Sequence, residues 1–594
     1  MSAINEVEDN EKEKNEPLAD EQEGVNEINT SKIKLLYAAT VDGVLLIVII
    51  VAIFVIFIGR NNNNKNIPEK DNKNDTNPDS DSDPYNYKNL TNFVTTKYII
   101  ENENTEIVLF NEKYLKWISL ILVDGIRANI SNKYNYKEVK EHTVIIDFNK
   151  SLESTDEMFK YNSNLKEIYF NKFKTEDIKN ISGMFHGCKS LISLNLNTFN
   201  TQKVINMSYL FYGCSSINEI LINNFDTSNV LDMKYMFSGC IAITSLNLEH
   251  FNTKNLKEIK YMFNSCQNLE NLQTGKDFTI SGINDLSGLF NDCFKLSKIN
   301  IPKFDTSETT NMSSIFRRCA KLTSIDLSKF DTSKVVNMSY MFSSCFELTS
   351  IELSNFDTSN VEDMRELFST CSSIKELNLK NFITSKVKNM SSMFCHCNSL
   401  ESLDLSNFDT SQVVDMSQMF DFCELIKKID LSNFDTSKVT DMSYLFAASP
   451  SLTSINLNNF NTKNVKSLKN MFYGDFSLTN IDLSSFDTSN TNSIEYMFQG
   501  CSSLTSLDLS NFDTSKVTSL TRIFANCYNL TYIDISKFSS ESLNGENDNI
   551  FPGRISNGTV IYNSKIFDKE IIHINFEDWE KYDINSDSNL LIFK

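Results

Sequence analysis

The cysteines of this chain recur at a fixed interval, and that interval decides what the chain can fold into. Cys188, Cys214, Cys240 and Cys266 stand 26 residues apart, Cys293 follows after 27, and Cys319, Cys345, Cys371, Cys397 and Cys423 resume the 26-residue step. Ser449 and Asp475 hold the same slot before Cys501 and Cys527, and Asn162 holds it in the first unit, which makes fifteen units. Two phenylalanine columns keep the same step. One runs from Phe159 to Phe524, three residues before the slot, and the other from Phe173 to Phe538 in an Asn-Phe-Asp-Thr-Ser segment; together they hold 30 of the 44 phenylalanines. Apolar residues repeated at such a period mean units that cannot bury their own faces and must stack on their neighbours. A chain of 594 residues is also too long for one compact core, so an extended array is expected.

In one unit, Val413, Met416, Met419, Phe420 and Cys423 fall at steps of three and four, the spacing of one helical face. Leu403-Asp404-Leu405 alternates like a short strand. The expected unit is therefore strand, turn and short helix, an α/β repeat solenoid of leucine-rich-repeat type over residues 151–538. Strands stacked about 4.8 Å apart would make its sheet roughly 70 Å long. The one extra residue falls near Gln273 to Lys276. Asp409-Thr410-Ser411 sits between strand and helix, where Asx and hydroxyl side chains cap free amides. An alternative reading of that column, Asp305, Asp331, Asp357, Asp409, Asp435, Asp487 and Asp513, is a calcium ladder. Calcium takes about six to eight oxygen ligands, and the segment lacks Gly-rich calcium turns.

The flanks divide by composition. Residues 1–34 carry ten acidic and four basic side chains and read as a disordered acidic tail. Residues 35–59, Leu35 to Gly59, form an apolar run interrupted only by Thr40 and Asp42, long enough for one transmembrane helix and longer than the core of a signal peptide. Residues 60–88 are Asn-, Asp- and Lys-rich and read as a flexible stalk, and residues 89–150, with apolar runs spaced by polar turns, as a small β-rich N-terminal capping module. Residues 539–594, with the strand candidate Gly558 to Tyr562, suit a C-terminal cap. Trp117 and Trp579 both lie outside the array.

The unit Ser432 to Phe446, SerAsnPheAspThrSerLysValThrAspMetSerTyrLeuPhe, resembles the BspA-like leucine-rich-repeat surface proteins of bacteria and mucosal protists. The stretch around Glu141-His142-Thr143-Val144 is similar to the β-rich module that precedes such repeats in that family. The resemblance implies adhesion to host cells, matrix or other microbes, without catalytic activity and without assigned binding residues.

The residues themselves offer little for catalysis. The five histidines, His142, His186, His250, His396 and His573, share no repeat position, and no phosphate loop, HExxH or GxSxG motif occurs. Cys395-His396-Cys397 is the one local cluster of metal-binding type, but residues two apart on a helix point about 200° from each other, which favours a structural reading. Thirteen cysteines cannot all pair, and slots at the ends of helices packed about 8–10 Å apart exceed disulfide reach, so mainly buried free thiols are expected. A net charge of -21 disfavours nucleic acid as a partner. The expected protein is not an enzyme and has no cofactor, catalytic residue or metal site. It sits in the plasma membrane by a single span, with the repeats outside, and binds extracellular proteins or glycans at positions the columns do not identify. A ligand-sensing receptor is a second reading. A cytosolic interaction scaffold is a third, because Arg60, Lys65, Lys70 and Lys73 outnumber Lys32 and Lys34 across the span, whereas Asn74-Asp75-Thr76, Asn89-Leu90-Thr91 and Asn129-Ile130-Ser131 are sequons that favour export.

Overall fold

The structure, a computed structural model, describes residues 90–170, 172–301, 303–544, 550, 559–562 and 580–583. The tail 1–34, the apolar run 35–59, the stalk 60–88 and Trp579 lie outside the described residues. Among the described residues no helix is long and apolar enough to cross a membrane.

The N-terminal module is antiparallel and joins the array directly. Strands β1 (Phe93–Ile99), β2 (Thr105–Val108), β3 (Ile118–Val123), β4 (Ile126–Arg127), β5 (Lys133–Tyr136) and β6 (Glu141–Phe148) precede β7 (Leu165–Tyr169), which already belongs to the first repeat. The main sheet runs β4-β3-β6-β1-β7, so the first module strand pairs directly with the first strand of the array. Asn162 seals this junction. Its amide donates to the Leu109 carbonyl at 3.2 Å and to the Tyr98 hydroxyl at 3.3 Å, which explains why the first slot holds asparagine instead of cysteine.

The fifteen slots delimit fourteen turns of about 26 residues in a β-solenoid. The extended leg pairs in parallel, as in β8 (Ser193–Asn195) with β9 (Glu219–Leu221) and β10 (Ser245–Leu248) with β11 (Asn271–Thr274). After β12 (Thr279–Ile280) and β13 (Lys303–Phe304), the same leg reappears as β14 (Ser506–Asp508) and β15 (Tyr532–Asp534). The strand candidate of the C-terminal segment forms β16 (Thr559–Tyr562) and, with β17 (Glu580–Asp583), extends this sheet in parallel.

The helix expected in each unit does not form. Its place is taken by a run of reverse turns, and the partition of backbone amides gives the reason. The amides of Met416, Gln418, Phe420 and Phe422 donate to the carbonyls of Asp441, Ser443, Leu445 and Ala447 on the next turn, at 2.8–3.2 Å. Those of Met419 and Asp421 close local turns onto Met416 and Gln418, at 3.3 and 3.2 Å. A helix would direct every amide four residues back along its own chain. Two residues per unit adopt left-handed backbone, Gln418 (φ 57) and Phe422 (φ 56) here and Gly183 and Gly187 in an early unit, which a right-handed helix excludes. The three-residue steps that suggested a helical face are steps between turn corners.

Side chains tie the turns together along columns. The Thr384 hydroxyl accepts the Asp409 amide at 2.8 Å and donates to the Asp409 carbonyl at 2.9 Å, and threonine repeats this clamp up the array. Asn407 donates to the carbonyls of Leu379 and Phe382 at 3.0 and 2.7 Å. Asp409 Oδ1 accepts the Ser411 amide at 3.0 Å, so the Asp-Thr-Ser segment closes a turn where helix capping had been expected. At the core, the first phenylalanine column is a continuous stack; Phe420 lies 5.8 Å from both Phe394 and Phe446 with rings within 11° of parallel.

The 27-residue unit absorbs its extra residue at the end of β11. The ladder still pairs Leu248 with Thr274, and Gly275 then takes the place Leu248 holds in the closing turn, its carbonyl accepting the Phe278 amide at 3.1 Å. A Cβ there would lie 2.0 Å from the Glu249 carbonyl oxygen. Gly275→Ala is therefore expected to cost about 2 kcal/mol or more, because backbone on the preceding turn must move. The midpoint of urea unfolding checks this, and an unchanged midpoint would show that the turns part easily here.

A candidate binding edge

Each coil turns through the two left-handed slots at one corner, and most side chains there are half-buried or exposed while the columns behind them repeat. The corner is thus where units differ. In the first units it is aromatic. Tyr209, Tyr235 and Tyr261, all at the first left-handed slot, stack at 4.9 and 5.0 Å with rings within 9° of parallel. His186 lies 6.2 Å from Tyr209, and Tyr161 and Tyr212 meet its ring edge at 4.7 Å each. The stack ends at Gly288, where an added Cβ would stand 2.1 Å from the Tyr261 ring.

The geometry sets what this edge can do. Stacked rings cover each other's faces, so they offer ring edges and a row of phenols. Burial, with Tyr261 and Tyr209 alongside, pushes the Tyr235 phenol up to about 12, so it remains a hydrogen-bond donor near neutral pH. Beside the row an open concavity of about 370 Å³ is lined by Lys189, Tyr212, Ser215, Ser238, Ile241 and Asn264.

A family model described as "Mycoplasma protein of unknown function, DUF285" matches residues 129–220, 190–296, 266–377, 364–474 and 451–554, overlapping stretches that run through most of the 594 residues. The chain belongs to this family. The DUF285 repeat thus takes in the aromatic edge and every slot from Asn162 to Cys527. No curated protein matches. Among solved structures, the functional domain of InlJ from Listeria monocytogenes, which includes a cysteine ladder, is similar at 12% identity over 72% of either chain, with a TM-score of 0.13.

The slot cysteines of this DUF285 chain lie behind the edge. All thirteen cysteines are unpaired and buried. In the column each thiol donates to the carbonyl of a phenylalanine one turn below, as Cys397 does to Phe368 at 3.2 Å, and Ser449 reproduces the bond to Phe420 at 3.0 Å. The expected reason for free thiols, helices spaced beyond disulfide reach, is replaced by another. The turns stack at strand spacing, and each sulfur is already placed in a hydrogen-bonded file.

Four units beyond Gly288, the edge turns polar and encloses titratable groups. Cys395, His396 and Asp421 each offer a donor atom, all within 4.8 Å of one another. Cys395 and Asp421 occupy the same position on adjacent turns, 26 residues apart, and both are buried. The ring of His396, half-buried, stacks on Phe422 at 4.3 Å. Cys397 faces away into the column, so the two thiols do part, although turn geometry and not a helix separates them. The local reading Cys395-His396-Cys397 missed Asp421 because its partner lies one turn away. Alignment of the units by their period would have found it, and the tyrosine row with it.

The other histidines are scattered. His142 holds Asp124 Oδ2 at 2.7 Å inside the N-terminal module, His250 is exposed, and His573 lies outside the described residues. The aspartates weighed as a calcium ladder each accept the amide two residues on, from Asp305 at 3.2 Å to Asp513 at 2.9 Å. The hydroxyls of Ser307 and Ser515, together with their amides, hold both carboxyls below their ordinary range.

Proposed function

We propose that this chain is a membrane-tethered surface protein of the BspA-like leucine-rich-repeat kind, without catalytic activity, that binds extracellular proteins or glycans along the corner edge. The tyrosine row at Tyr209, Tyr235 and Tyr261 carries this reading. Tyrosine supplies a large amphipathic contact surface at low conformational cost, and a row at strand spacing suits an extended, repetitive ligand. A solenoid adds such surface unit by unit, which favours large or multivalent partners. The apolar run 35–59 supplies the anchor and residues 60–88 the stalk in this reading.

The test is binding of the protein to host cells, matrix proteins and glycans. The triple change Tyr209→Ser, Tyr235→Ser and Tyr261→Ser is expected to weaken binding at least ten-fold, with the circular dichroism spectrum retained. Wild-type protein that binds none of them above background would sink the proposal. The basic residues after the span favour a cytosolic scaffold as the second reading. Protease treatment of intact cells separates the two, since only external repeats are removed.

A further inference from the structure

We propose that Cys395, His396 and Asp421 form a binding site for a zinc-class divalent transition metal, a function separate from ligand binding by the tyrosine row. One thiol sulfur, one imidazole nitrogen and one carboxylate oxygen converge within 4.8 Å, and the Cys395 sulfur is already 3.9 Å from Asp421 Oδ2. In a tetrahedral zinc site, bonds of about 2.0–2.3 Å set the donors roughly 3.3–3.8 Å apart, a contraction that side-chain rotation supplies. The mixed S, N, O set selects zinc-like ions and disfavours Ca²⁺ and Mg²⁺, which take oxygen.

A second observation points to a ligand. Asp421 is only 2% exposed, yet its Oδ1 has no hydrogen-bond partner. Buried carboxylate oxygens are rarely left so, because the desolvation is uncompensated. Burial pushes both the Asp421 carboxyl and the Cys395 thiol well above their ordinary values. A divalent cation reverses that balance: the thiol and carboxyl release their protons to solvent, and two anionic donors neutralise the ion. Three protein ligands leave one position for water or for a donor from a bound partner.

The test uses the full chain in detergent, with Co²⁺ and Zn²⁺ as probes. One equivalent of Co²⁺ is expected to give a thiolate-to-cobalt charge-transfer band that Zn²⁺ abolishes. Cys395→Ser and Asp421→Asn should each remove the band or weaken binding at least ten-fold, and His396→Gln, at a half-buried position, should do the same. No band in wild-type protein, or a band that survives Cys395→Ser, overturns the site. If the buried variants fail to fold, the wild-type stoichiometry and the His396→Gln variant still decide the question.

Discussion

Phe420→Ala is expected to destabilise the solenoid by about 3–5 kcal/mol, the range for deleting a fully buried phenylalanine from a packed core. Phe420 is 1% exposed and belongs to two stacking contacts at once, with Phe394 below and Phe446 above. A solenoid has little capacity to refill the gap, because the backbone of each turn is bonded to both neighbours and cannot collapse inward. Urea unfolding followed by circular dichroism measures the effect. Phe422→Ala on the half-buried corner is the control and should cost under about 1 kcal/mol. A loss at Phe420 no larger than at Phe422 would show that the column contributes little beyond ordinary burial.

The second large effect has the opposite sign and depends on pH. Asp475 occupies a cysteine slot, is fully buried, and has its carboxyl pushed well above the ordinary carboxylate range by that burial. Its Oδ1 accepts the Ser449 amide at 2.9 Å, while Oδ2 has no partner. The folded state therefore holds the proton more tightly than the unfolded state. Below the unfolded value both states are protonated and nothing is lost; above it the unfolded chain ionises first, and stability falls as pH rises. Asp475→Cys is expected to restore the hydrogen-bonded file and stabilise the protein by about 2 kcal/mol at pH 7. The gain should shrink toward pH 4. Equal gains at pH 4 and 7 would remove ionisation from the explanation, and no gain at either would remove the slot argument as well.

What the linear chain revealed follows from where each property is encoded. Cys188 to Cys527, the two phenylalanine columns and the extra residue near Gly275 are legible because buried positions accept few side chains and so repeat visibly. The backbone path was misread. Val413, Met416, Met419 and Cys423 face inward at steps close to those of a helix, and only the partition of amides between local turns and the next coil distinguishes the two. The leucine-rich-repeat-like solenoid survives that correction as a β-solenoid, while its α/β class does not. The candidate sites were hidden for a related reason. Cys395 and Asp421, or Tyr209 and Tyr235, are neighbours only through a full turn of chain, so a search by local spacing passes over them.

The extra residue absorbed at Gly275 shows how this architecture constrains change in its gene. Every ladder joins a residue to its equivalent one turn on, so a duplication or deletion of a whole 26-codon unit leaves all columns in register. A length change of any other size must be taken up where the backbone can pass its neighbour without a side chain, as Gly275 does beside Glu249. Length in this chain is thus quantised. New corner residues can arrive with each copied unit while the core that receives them stays the same.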